Sequence, residues 1–317
     1  PLPVFGERLA NAVAWWQRGQ KVGAAGFLVS SWEPSHLSPE LTTVIDAAIA
    51  GLWLEGESTD HATLLRRGFE RATAVRHPAQ ASRLALAADE HAFASYAQAE
   101  RHQHWDSSPL HEGVARAAAT ARFCQRAVAR AEFGPLRVSL QWRHYLAERE
   151  RFVRHGAKAI LRARRLWQRN KREPLDALII ALKAESQAFA RHLTEARLVA
   201  SQLWRLTRSL KTKGPNQLIV TADQNRLKQW QRWLDQVATK PAKIMTASPL
   251  LGVWQLSLAV HSTRPNANLV VVQQQNDDGT WTDLRQRHTI EFEAEARLVF
   301  ADHQSYAALA DYLTRSR

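Results

Sequence analysis

Two long apolar stripes at helical spacing constrain this chain more than any other feature. The first runs through Trp142, Tyr145, Leu146, Phe152, Val153, Ala159, Ile160, Leu166 and Trp167, and the second through Leu175, Leu178, Leu182, Phe189, Leu193, Ala196, Ala200, Leu203 and Trp204. Apolar residues recurring every three to four positions line one face of a helix, and such a face has to be buried. Asn170 to Pro174 separates the stripes, and a proline near the first turn of the second helix suits a tight connection. The spacing therefore predicts an antiparallel helical hairpin at the centre of a helical region, with shorter helices over 59–76, 79–103 and 113–131.

The flanks read differently. Residues 7–21 place Leu9, Ala12, Val13 and Trp16 on one helical face, closed by Gly19 and Gly23. Residues 26–33 (GFLVSSWE) form a short apolar run ending at Pro34, the pattern of a strand buried on both faces. Helix, turn and strand together suggest one αβ unit of a parallel sheet, with Trp32 and Glu33 at the strand end, where such folds place ligands. After Gly214-Pro215-Asn216, residues 217–221 (QLIVT) read as a strand and 223–237 as a helix. Trp254, Leu256, Leu258 and Val260, then Ile290, Phe292 and Ala294, alternate as strand faces around a turn signal at Asn276 to Gly279, and a closing helix is expected near 303–314. The expected fold is thus mixed but mainly α: an αβ barrel unit over 1–56, a helical domain over 57–213 and a small α+β domain with an antiparallel sheet over 214–317.

Composition narrows the partners. The 317 residues carry a formal net charge of +13 and are 45% apolar, enough for a substantial core and with no run suited to a bilayer crossing. Residues 113–213 hold 23 Lys or Arg against 7 Asp or Glu, a net +16, so the remainder sums to −3. The basic character belongs to the central helices. Phosphate neutralisation would let such a surface bind nucleic acid, yet no helix-turn-helix, zinc-finger or RNP pattern accompanies it. The favoured reading makes Arg143, Arg151, Arg154, Arg162, Arg165 and Arg169 the solvated face of a bundle. The lone Cys124 and the lack of a visible signal segment favour a reducing, cytoplasmic setting. The chain begins Pro1-Leu2-Pro3 and its single Met is Met245, which suggests a processed start or a piece of something longer.

Other groups carry little chemistry by pattern. His102 and His104, beside Glu100 and Asp106, diverge by about 200° on a helix, so a surface cluster is expected rather than a metal site. Asp89-Glu90 reads as helix surface, and Cys124, among Phe123, Ala127 and Val128, as a buried structural thiol. Trp254 and Trp281 offer a sugar-stacking platform, with core packing as the default. No glycine-rich phosphate loop or GxSxG elbow is present, so no cofactor is expected. Trp32 and Glu33 remain: an indole stacks on a sugar ring and a carboxylate bonds its hydroxyls.

The run from helix 7–21 through GFLVSSWEPS (26–35) to PELTTVIDAAIAGLW (39–53) resembles the end of the catalytic barrel in family 20 glycoside hydrolases, the β-N-acetylhexosaminidases. LWRLTR (203–208), GPN (214–216), Asp223, Arg226, Leu227, Trp230 and Trp233 resemble the tail appended to the barrel in some bacterial relatives. The resemblance implies that Trp32 lines a pocket for an N-acetylhexosamine ring and that Glu33 binds a hydroxyl, although other members place the Glu two residues after the Trp. It implies substrate-assisted hydrolysis with an Asp-Glu pair on an earlier strand. No strand here ends in Asp-Glu, so this chain alone is expected to be inactive, its remaining barrel lying upstream. The expected function is the C-terminal portion of such a hydrolase, with an N-acetylhexosamine-type glycan as partner. The alternative is a non-enzymatic module that binds an anionic partner through its basic hairpin.

Overall fold

The computed structural model describes residues 4–26, 28–29, 39–55, 59–91, 113–205, 214–246, 248 and 250, together with the backbone of three short strands further on. The body is helical. In chain order the described helices are α1 (Phe5–Lys21), α2 (Pro39–Glu55), α3 (His61–Ala72), α4 (Pro78–Asp89), α5 (Gly113–Arg130), α6 (Gly134–Gln168), α7 (Arg172–Arg205) and α8 (Pro215–Thr239), followed by a 3₁₀ turn over Pro241–Met245.

The expected hairpin is α6 and α7, of 35 and 34 residues. Asn170 adopts φ 53°, the left-handed conformation that an Asn tolerates at a helix end. Lys171 N–H then bonds back to Leu166 O at 2.9 Å, so the last turn of α6 satisfies its own carbonyl while the chain reverses. Phe152 of α6 and Phe189 of α7 stack across the seam with ring centroids 4.3 Å apart.

Two hydrophobic clusters share α6. Its first turns place Leu136 and Leu140 with Phe5, Leu9, Ile45, Leu52, Leu65, Phe69 and Cys124, a core built by α1 to α5. Its remainder places Trp142, Phe152 and Ile160 with Leu182 and Phe189 of α7 and Leu227, Trp230 and Leu234 of α8. Helices α2 and α3 approach closely because Gly68 carries no side chain: a Cβ there would lie 2.3 Å from Val44 O.

Over the described residues up to 250, the mixed fold class expected from the sequence, with its barrel unit, is corrected to a helical one. Of the 26–33 run, the described residues 26, 28 and 29 form no strand, and Leu28 and Val29 are 91% and 41% exposed. A strand of a parallel barrel needs cover on both faces, and α1 packs on α2, α3 and α4 instead. Residues 217–221 are the first turns of α8, not a strand. Pro215 occupies the start of that helix, Gly214 N–H bonds Gln217 Oε1 at 2.8 Å, and Ile219, Val220, Asp223, Leu227 and Trp230 are all buried at helical spacing against the hairpin. The first strand and the helix assigned to an α+β domain are therefore one helix of the bundle. Helix α1 also runs through Gly19 and ends before Gly23, whose φ is 65°.

Beyond residue 250 the backbone forms antiparallel strands β1 (Leu269–Gln275), β2 (Trp281–Asp283) and β3 (Ala296–Ala301) in the order β2-β1-β3, with Val271 opposite Val299 and Gln274 opposite Thr282. The alternating faces expected at 254–260 and 290–294, and the helix expected near 303–314, lie outside the described residues. No described helix is long and apolar enough to cross a membrane.

Candidate functional site: a basic hairpin with two kinds of charge

Between Glu150 and Glu173 the sequence has nine Lys or Arg and no acid. At 3.6 residues per turn, Arg151, Arg154, Lys158, Arg162, Arg165 and Arg169 fall within an arc of about 80° on α6, spanning about 27 Å of axis. Arg151 and Arg154 are held by carboxylates of the preceding turn, Arg151 Nη2 to Glu148 Oε2 at 2.8 Å and Arg154 to Glu150. Lys158, Arg162, Arg165 and Arg169 are exposed and have no ion pair among the described residues. They form a straight ladder of charge about 16 Å long at the hairpin tip.

The 3₁₀ turn packs on the buried side of α6, behind the ladder. Arg164, 2% exposed, donates from Nε to Ile244 O and from Nη2 to Thr246 O, both at 3.1 Å. At the tip, the Arg172 guanidinium lies over the Trp167 ring, 4.2 Å from its centroid. The ladder is therefore an exposed strip on a helix held from behind by α7 and the 3₁₀ turn.

A second set of charges on α6 is buried. Asp223 of α8, fully buried, accepts from Tyr145 Oη at 2.5 Å and from Arg149 Nε and Nη2 at 2.6 and 3.1 Å. This two-pronged contact is the strong form of an Arg–carboxylate pair. Burial, and then the Asp223 charge, push the Tyr145 phenol well above its ordinary range. Burial alone would lower Arg149, but the Asp223 charge and hydrogen bond outweigh it and keep the guanidinium firmly protonated. The cluster is sealed from solvent and locks α8 to the hairpin.

The fates of the sequence candidates are mixed. Arg143 does not belong to the solvated face: it is 7% exposed and donates to Ala88 O. Position 143 points toward α4 because that part of α6 is enclosed by the first core. Asp89 is more than helix surface. Its two oxygens accept from the backbone N–H of Phe5 at 3.0 Å and Gly6 at 2.7 Å, so the last residue of α4 caps the start of α1, while Glu90 is exposed. Burial raises the Asp89 carboxyl, offset in part by those two N–H groups. Cys124 is fully buried, and burial pushes its thiol up to about 11, a state with little nucleophilic character.

Trp32, Glu33, His102, His104 and Trp254 lie outside the described residues, and only the backbone of Trp281 is described. Among the described residues, no group of three or more His, Cys, Asp or Glu is placed to hold a metal ion. His144 of α6 and His192 of α7 meet edge to face, 5.7 Å between centroids. Burial lowers His144, with Glu148 and Glu195 pulling it back up and His192 lowering it further.

Sequence reasoning missed the Tyr145–Arg149–Asp223 cluster. One signal pointed to it: Asp223 stands at an apolar position of its helix, in register with Ile219, Val220, Leu227 and Trp230. Compared with family models, with curated proteins and with solved structures, the chain matches none of them.

Proposed function

We propose that this protein is a non-enzymatic interaction module that binds an anionic partner through its helical hairpin. The observation that carries the reading is the ladder Lys158, Arg162, Arg165 and Arg169, exposed and without ion pairs among the described residues on a helix whose neighbouring cations are neutralised at home. Charges kept in water at one face, with rigid packing behind, provide counterion-release affinity and favourable encounter rates without a conformational cost. Binding to a fluorescent polyanion is expected to weaken linearly in log–log form as salt rises. A flat salt response would remove the reading.

A second reading rests on the residues around Trp32 and Glu33 and their resemblance to hexosaminidases, supported by α2 occupying 39–55, where the resemblance expects an Ala- and Leu-rich helix. On this reading the chain is the C-terminal portion of a glycoside hydrolase that acts on N-acetylhexosamine glycans. This chain alone should leave an aryl N-acetylglucosaminide intact, and a longer protein with a strand-end Asp-Glu pair should cleave it. An inert longer protein would sink the proposal.

A further inference from the structure

The shape of the ladder says more about the partner than its sign does. We infer that the ligand of the hairpin tip is a linear anionic polysaccharide lying along α6, contacted by Lys158, Arg162, Arg165 and Arg169. This rests on the anionic-partner reading and narrows it to one class of polymer.

Three observations favour that class. First, the four cations follow one another at steps of three and four residues, so their spacing along the axis is about 4.5 to 6 Å. That is a one-dimensional array, suited to a chain with a charged group on each successive sugar and not to a compact anion, for which the site has no enclosing wall. Second, three of the four are Arg, whose planar guanidinium takes a carboxylate or sulfate oxygen pair in two parallel hydrogen bonds. Third, the packing and composition of the strip argue against nucleic acid. A helix that reads duplex DNA enters a groove about 12 Å wide, whereas this part of α6 is covered on its inner side by α7 and the 3₁₀ turn. Single strands are held by aromatic platforms between the phosphate contacts. Here the arc holds no aromatic residue, and the nearby Trp167 is already beneath Arg172.

The test is a competition measured on the intact chain. Heparin octasaccharide is the glycan probe, with a single-stranded and a duplex DNA of matched charge and a polyglutamate of matched length beside it. The octasaccharide is expected to bind at least about tenfold tighter than either DNA or the polyglutamate at 0.15 M salt, the probes being matched in total charge so that the number of charges available for counterion release is the same. The triple variant Arg162→Gln/Arg165→Gln/Arg169→Gln should lose about tenfold or more of octasaccharide affinity. The variant Arg122→Gln/Arg126→Gln/Arg130→Gln removes as many exposed cations from α5 and should stay within about twofold if the ladder is the site. Tighter binding of either DNA or of polyglutamate overturns the inference and leaves the anionic-partner reading standing. Equal losses in the two variants overturn the assigned site. No binding of any polyanion at low salt overturns both the inference and the reading.

Discussion

Arg149 and Arg165 stand on the same helix, and their surroundings give the same side chain opposite roles. Arg149 is 6% exposed, clamped in two hydrogen bonds to a carboxylate on another helix. Arg165 is exposed, with no ion pair among the described residues. A buried charge is tolerable only when its partner is present, so Arg149 reports on how α8 docks. An exposed charge adds little to stability and remains available to something else. Counting cations along α6 cannot separate these cases. The partner's position in space separates them, and for Arg149 that partner arrives from α8.

The strongest way to break the comparison is at its buried end. Asp223→Ala leaves Arg149 and Tyr145 without their acceptor and is expected to cost about 3–5 kcal/mol in urea unfolding. A loss below about 1 kcal/mol would mean that the cluster is hydrated rather than sealed. A smaller loss, about 1 kcal/mol, is expected for Asp89→Ala, which removes the cap from the first turn of α1 while leaving the two cores intact. If the loss is instead as large as that of Asp223→Ala, α1 depends on that contact for its docking and not merely for its end.

The half-buried His144 sharpens the middle ground. Its folded-state pKa is lowered, chiefly by burial, with His192 lowering it further against the pull of Glu148 and Glu195. Folding then favours the neutral imidazole. Its stabilising contribution is present above the unfolded value of about 6.5 and is lost as pH falls from there through the lowered folded value, because the unfolded chain takes up the proton first. Asp89, whose pKa is raised, acts in the opposite sense at lower pH, so the histidine contribution is best isolated by difference. His144→Gln should flatten the decline in stability between about pH 7 and 5.5 relative to the parent. An unchanged slope would remove His144 as its source.

Much of the fold was legible because it is written in local periodicity. The stripes from Trp142 to Trp167 and from Leu175 to Trp204 mark α6 and α7, and Asn170 marks their turn by a residue type that accepts the left-handed conformation. The errors came where local and tertiary preferences disagree. Ile219, Val220 and Thr221 have strand propensity, but Ile219 and Val220 are buried in register with Leu227, Trp230 and Leu234, and packing prevails over propensity. The run at 26–33 looked like a buried strand because apolar content was read without knowing what lay beside it, and Leu28 turns out to be exposed. Charge was the least legible feature. Arg143 and Arg165 look alike in sequence, and only the packing of α4 near one and of solvent near the other distinguishes them.

The central claim is that this helix divides its cations into those that hold the fold and those that face a partner. It is tested most directly by measuring octasaccharide affinity and urea stability together across salt for the parent and for Arg162→Gln/Arg165→Gln/Arg169→Gln. The account predicts stability within about 0.5 kcal/mol of the parent, with affinity reduced about tenfold and its salt dependence made shallower by up to three contacts. Unchanged affinity with an unchanged salt slope, or a variant that unfolds, would contradict it.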